Sequence, residues 1–99
     1  MARFDVYRAP RGDGYLVDVQ ADYFNITATR VVMPLLPVSN RLPATKRLNP
    51  IFDIGEAPHM LQPLLIATVP TKALKEPVLS LANQGDQVTA ALDFMHQGF

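Results

Sequence analysis

The chain has 99 residues, 48% of them apolar, and its nine basic and nine acidic side chains cancel to zero net charge. That is room for one domain with a modest core, since a second would need roughly another 50 residues, and the neutral balance excludes a broadly basic nucleic-acid footprint while leaving a local patch open. Without cysteine there is neither a disulfide framework nor a thiolate metal site, which fits a reducing cytoplasm.

The opening residues, MARFDVYRAPRGDG, carry charges and no apolar run of signal-peptide type, and no apolar run in the chain approaches the length of a bilayer span. The expectation is a single domain over residues 1–99, cytoplasmic and without a membrane partner. Nine prolines, at 10, 34, 37, 43, 50, 58, 63, 70 and 77, break up most of the chain. Each limits a helix around it, so only residues 11–33 and 78–99 leave room for one of ordinary length.

Arg3 to Arg8 alternates Phe4 and Val6 against Arg3, Asp5 and Tyr7, a period of two that predicts a half-buried strand. Ala9 to Gly14 (APRGDG) is a turn, with Pro and two Gly supplying its dihedrals. Tyr15 to Gln20 predicts a second strand, with Asp18 and Gln20 on the face opposite Val17 and Val19. Ala21 to Ile26 reads as a loop whose Tyr23 and Phe24 are either tucked into the core or offered to a partner. Thr29 to Leu35 is β-branched and mostly apolar; its proline suits an edge strand or a strand end. Leu36 to Lys46 is irregular. Leu48 to Ile54 predicts a fourth strand, Gly55 to Pro58 a turn, and His59 to Leu61 the start of its partner. Leu64 to Val69 reads as an apolar strand closed by Pro70, Thr71 to Pro77 as a polar connection, and Val78 to Leu81 as a short strand.

Asn83 to Phe99 is the one segment that reads clearly as helix. Asn83 and Asp86 form a weaker version of a capping box, and Val88, Ala91, Leu92 and Met95 recur at i, i+3, i+4 and i+7. Ala90, Phe94 and Phe99 lie off that stripe, and no Lys or Arg follows residue 75, whereas a surface helix ordinarily carries a charged outer face. The helix therefore needs two partners, its own domain and something else. Strands first and one helix last predict an antiparallel, mainly β (α+β) domain with the helix packed on or beside the sheet.

Chemistry-bearing residues are sparse. Asp53, Glu56 and His59 are spaced for convergence across a turn but match no known ligand pattern, so an ordinary polar hairpin is the default and no metal is expected. Asp18 and Asp22 are read as lying on a solvated strand face rather than as an acid–base pair. His96 favours the helix dipole when protonated. Arg41, Lys46 and Arg47 make a small basic patch. No serine sits in a nucleophile elbow, and no Gly-rich loop has phosphate-binding spacing. Residue by residue, the chain reads as a binding protein, not an enzyme, with no cofactor.

The ordered segments resemble the CcdB family of toxin–antitoxin cytotoxins. The resemblance is carried by Phe4-Asp5-Val6-Tyr7, Leu16-Val17-Asp18-Val19-Gln20-Ala21-Asp22 and Arg30-Val31-Val32-Met33-Pro34-Leu35. It continues through Leu48-Asn49-Pro50-Ile51-Phe52-Asp53-Ile54-Gly55-Glu56, Thr68-Val69-Pro70 and Phe94-Met95-His96-Gln97-Gly98-Phe99. It implies an SH3-like antiparallel barrel or sheet with one C-terminal α-helix, a homodimer, and a non-enzymatic poison that binds the A subunit of DNA gyrase and traps its cleaved complex with DNA. It also implies neutralisation by a cognate antitoxin, with which the toxin co-represses its operon, so that DNA is met only through antitoxin or gyrase.

Carried over position by position, the gyrase-binding surface is Tyr23, Phe24, Asp93, His96, Gln97, Gly98 and Phe99. Gly98 matches the family outright. Phe99 replaces an aliphatic residue, and Tyr23 and Phe24 an aliphatic pair. Asp93 stands for an asparagine, His96 for a phenylalanine, and Gln97 for a tryptophan that stacks on a gyrase arginine. Burial of Tyr23, Phe24 and Phe99 at the dimer interface is the alternative for those three, while Asp18, Gln20 and Asp22 are expected to hold the fold. Two other functions stay open: a ribonuclease toxin on the same barrel, and a non-toxic chromosomal relative kept to bind an antitoxin.

Overall fold

A computed structural model describes residues 2–22, 28–39 and 47–98. Seven strands and one helix follow in order: β1 (Asp5–Arg8), β2 (Tyr15–Asp18), β3 (Thr29–Pro37), β4 (Ile51–Ile54), β5 (Ala57–Leu61), β6 (Ala67–Pro70), β7 (Leu79–Ser80) and α1 (Gly85–Gln97). All pairings are antiparallel, in the order β4-β5-β3-β2-β1-β7, with β6 also joined to β3. The sheet curls into an SH3-like half-barrel with the single helix at its end.

β3 is the spine. One edge pairs with β2 through residues 32–35; the other pairs first with β6 through 29–32 and then with β5 through 35–37. Pro34 lies inside this central strand, not at an edge or end as its chemistry suggested. A residue in extended backbone turns its N–H and C=O to the same side, and the Pro34 carbonyl accepts from Gln62 N at 2.9 Å. The missing N–H thus falls where β6 hands over to β5, the one stretch of that edge with no ladder partner to disappoint.

The turn at Gly55-Glu56 is tighter than expected. Both residues have positive φ, +59° and +70°, as a two-residue type I′ hairpin requires, so Ala57 and Pro58 already belong to β5. The apolar run from Leu64 does not form a strand at its start. Pro63 instead opens one turn of 3₁₀ helix, Pro63–Leu65, a position where its absent N–H costs nothing. This leaves Leu64 and Leu65 70% and 53% exposed.

The main core lies between the sheet and α1: Val6, Val17, Met33, Leu35, Leu61 and Ile54 from the strands meet Val88 and Ala91 from the helix. A smaller cluster of Tyr7, Val32 and Leu74, with Leu16 and Val69 beside it, sits on the other face of the sheet. Strict in–out alternation in β1 is thereby overridden. Tyr7 is as buried as Val6, because the connection through Leu74, polar in most of its residues, folds back over the outer face. Among the described residues the buried Tyr7 hydroxyl has no hydrogen-bond partner, and burial, followed by the charges of Asp5 and Asp18, pushes its pKa above the ordinary 10.0.

Asp18 is not solvated. It and Arg30 are both fully buried and form an ion pair, with Arg30 Nε donating to Asp18 Oδ2 at 2.8 Å and Nη2 lying 2.6 Å from the same oxygen. The other carboxylate oxygen accepts from Gln20 N at 3.0 Å, and Gln20 Oε1 accepts from Val31 N at 3.1 Å. Phe4 N donates to the Asp18 carbonyl at 2.6 Å, and Arg3 N to Asp22 Oδ1 at 2.7 Å. Asp18, Gln20 and Asp22 thus hold the ends of β1, β2 and β3 together. Burial pushes the Asp18 carboxyl above its ordinary value, while the bonds from Arg30 and Gln20 pull against it.

Two outcomes follow for stability. Asp18→Asn strands the Arg30 charge and should cost about 3–5 kcal/mol in urea unfolding, whereas the paired replacement Asp18→Leu with Arg30→Met should leave stability within about 1 kcal/mol of the parent. Tyr7→Phe removes a hydroxyl that bonds to none of the described residues, so the change at pH 7 should stay below about 1 kcal/mol. Because the folded pKa of Tyr7 is raised, its contribution to stability is complete below pH 10.0 and is lost as pH climbs beyond it,. Unfolding curves of parent and Tyr7→Phe should therefore diverge above about pH 10, the variant holding its stability better.

Candidate functional site

The end of α1 is built from both directions. At its start, Asn83 does not cap the helix; it lies within a 3₁₀ turn, Ala82–Gln84, and the flanking residue Gln84 makes no side-chain cap bond. The helix is seated by packing instead. Phe4 adopts a left-handed φ of +73°, Leu81 N donates to its carbonyl at 2.9 Å, and its ring lies so close to Gly85 that a Cβ there would sit 2.5 Å from it. Asp86 in the first turn and His96 in the last suit the helix dipole,.

The expected stripe is the buried one: Val88 and Ala91 are fully enclosed and Leu92 and Met95 half-buried. Of the off-stripe residues, Ala90 is exposed, but Phe94 has found its cover within the chain. The Arg47 guanidinium lies 4.3 Å from the centre of its ring. A helix without lysine or arginine of its own thus borrows a guanidinium from the turn before β4. A small cavity of about 190 Å³, lined by Arg47, Pro50, Gln87 and Ala90, adjoins this contact. Nothing in the sequence pairs Arg47 with Phe94, because their meeting depends on how β4 and β5 carry that turn back to the helix.

α1 ends at Gly98, whose φ of +77° lets its N–H donate to the Phe94 carbonyl at 2.8 Å, a left-handed cap. Asp93, His96, Gln97 and Gly98 are all exposed there, with Asp93 and Gln97 one turn apart on the same side. The structure therefore brings four of the seven expected contact residues to one exposed helix end. Tyr23, Phe24 and Phe99 lie outside the described residues, as do Arg41 and Lys46 of the basic patch.

The other groupings do not assemble. Asp18 is sealed in the ion pair and cannot exchange protons with a bound substrate. His59 pairs in register with Phe52, which puts Asp53 on the opposite face, and Glu56 stands at the hairpin tip; no cluster of metal-ligating side chains forms among the described residues. His59 is instead buried, its Nδ1 2.9 Å from the Ala57 carbonyl and its ring edge-on to Tyr15 at 5.0 Å. No helix among the described residues is long and apolar enough to cross a membrane.

The family model described as CcdB protein matches residues 3–98, nearly the whole chain. The chain belongs to the CcdB family of toxin–antitoxin toxins. No curated protein sequence matches it significantly. Among solved structures it is similar to an endoribonuclease in complex with its cognate antitoxin from Mycobacterial species, at 17% identity and a TM-score of 0.76, over 94% of this chain and 91% of that one. Identity that low shows a shared fold and carries no activity with it. Within the CcdB fold the string Leu16 to Asp22, the most specific of the sequence motifs, is structural: it supplies Asp18, the carboxylate half of the buried pair, and the hydrogen bonds of Gln20 and Asp22.

The Arg47–Phe94 contact can be measured directly. Arg47→Ala should cost about 0.5–1 kcal/mol in chemical denaturation and leave the fold intact, since one cation–π contact on a partly exposed face is worth about that much. A loss of several kcal/mol would show that Arg47 has a larger structural role than the stacking.

Proposed function

We propose that this protein is the toxin of a type II toxin–antitoxin pair, acting by binding the A subunit of DNA gyrase and trapping the cleaved gyrase–DNA complex rather than by catalysis. The reading is carried by the exposed helix end, Asp93, His96, Gln97 and Gly98, in a chain whose family match spans residues 3–98. An acidic, partly disordered antitoxin is the expected neutralising partner, and the toxin–antitoxin pair together the expected repressor of their operon, with DNA contacted through the antitoxin. Leu64 and Leu65, apolar and exposed on a turn packed beside α1, support a second copy of the chain as the remaining partner.

The interaction is retuned relative to the family. Where a tryptophan would stack on a gyrase arginine, Gln97 offers hydrogen bonds and no ring. One turn back, Phe94 is already covered by Arg47, so an incoming arginine would meet a like charge. Asp93 supplies the compensating attraction, as a carboxylate can pair with a guanidinium that Gln97 can no longer stack on. Aromatic anchors are frequent interface hot spots, and an indole–guanidinium contact contributes roughly 0.5–2 kcal/mol.

Binding to the gyrase A dimerisation region should accordingly tighten by about 2- to 30-fold in Gln97→Trp and weaken in Asp93→Ala. Expression of the protein alone in a gyrase-sensitive host should arrest growth, more severely for Gln97→Trp. If both proteins are harmless and neither binds the gyrase fragment, the poison reading fails. The ribonuclease reading is favoured instead if purified protein degrades RNA without gyrase. Binding to an antitoxin with neither activity would identify a non-toxic relative.

A further inference from the structure

The turn between β1 and β2 encloses a feature that the helix-end reading does not use. A cavity of about 470 Å³ opens beside it, its polar side chains Arg8, Asp13, Tyr15 and His59, with Pro37 also in the lining. Its volume lies within the range of pockets that hold small organic ligands. The wall is held in place by backbone geometry. Gly14 has a φ of +104°, and any Cβ there would lie 2.5 Å from the Leu35 carbonyl oxygen, so the turn is pressed against β3 in a way only glycine allows. Ala9 N, bonded to the Gly14 carbonyl at 3.2 Å, closes its base.

Within this frame the side chains are arranged in layers. The Tyr15 ring is fixed edge-on against His59, and the Arg8 guanidinium lies over it at 5.8 Å from the ring centre. Arg8 is exposed on its outer side and has no ion-pair partner among the described residues. His59 gives Nδ1 to the Ala57 carbonyl; a carbonyl can only accept, so Nδ1 carries the proton and Nε2 is the ring nitrogen left to bond a guest. Asp13 adds a carboxylate acceptor to the same wall.

We propose that this cavity receives one nucleotide of single-stranded RNA. A flat base stacks on the outer face of the Arg8 guanidinium, itself backed by Tyr15, and guanidinium planes and aromatic rings are the usual platforms for unpaired bases. The edge of the guanidinium meets the phosphate. Asp13 accepts from the ribose hydroxyls, and the same carboxylate repels a bare phosphate; this is what favours a nucleotide over a simple anion, and a sugar with its 2′-hydroxyl over one without. His59 Nε2 bonds the base edge or the sugar. The neutral net charge of the chain is consistent with one local site in place of a long basic groove. The site uses β1, β2 and β5, not α1, so its fate is independent of gyrase binding.

The test is an amide-resolved NMR titration of the full chain with uridine monophosphate, deoxyuridine monophosphate and inorganic phosphate. Uridine monophosphate should shift the amides of residues 8, 9, 11–15 and 59 with millimolar affinity, and inorganic phosphate should bind about tenfold more weakly or not at all. Arg8→Ala, at an exposed position, should weaken the nucleotide about tenfold, while Arg8→Lys, which keeps the charge but loses the plane, should restore less than half of that loss in free energy. Asp13→Ala, which removes the acceptor, should erase the preference for ribose over deoxyribose. The proposal is overturned if the shifts fall elsewhere, if Arg8→Ala binds as the parent does, or if inorganic phosphate binds as tightly as the nucleotide. It is equally overturned if an acidic peptide shifts these residues and uridine monophosphate does not, which would assign the cavity to a protein ligand.

Discussion

The ion pair between Asp18 and Arg30 is the constraint on which the rest of this domain depends. Two opposite charges, both fully enclosed, sit where β2 ends and β3 begins, and neither can be taken out of water without the other. Their hydrogen bonds draw in Gln20 and, through it, the backbone of Val31, while the Asp18 carbonyl holds Phe4 in its left-handed turn. That turn aims the Phe4 ring at Gly85 and so seats the helix. The position of the exposed helix end is therefore set, through four links, by a charge pair on the far side of the sheet.

This arrangement explains why residues that look functional in the sequence turn out to be structural. A run of Asp, Gln and Asp alternating with valines has the composition of a binding strand, and period-two reading places its polar members in water. It assumes that one face of the sheet is solvated, as is common for antiparallel sheets. Here the connection through Leu74 covers the outer face, so Tyr7 and Asp18 are both inside, and each meets that condition differently: Asp18 with a partner, Tyr7 without one.

Much of the fold was legible all the same. The helix stripe of Val88, Ala91, Leu92 and Met95, the alternation around Val6 and Val17, and the turns at Ala9–Gly14 and Gly55-Glu56 come from local periodicity and dihedral preference, and those act over a few residues. The misreadings share a different origin. Pro34 inside the spine strand and the absence of a side-chain cap at Asn83 are each decided by a neighbour distant in sequence. The same holds for the candidate sites. The resemblance drew attention to the helix end, whereas the Arg47–Phe94 contact and the layering of Arg8, Tyr15 and His59 arise only when β1, β5 and the turn before β4 are brought together.

The proline in β3 has a further consequence. A strand with two successive neighbours along one edge is prone to let either creep, since backbone ladders are alike at every position and only side-chain burial resists a slip. Pro34 interrupts the row of donors at the changeover. If β5 advanced along β3 by a pair of residues, a carbonyl of the incoming strand would face the pyrrolidine ring and lose its bond inside the protein. The imino acid thus works as a register stop, a place where the absence of one hydrogen keeps two strands from sharing the same track.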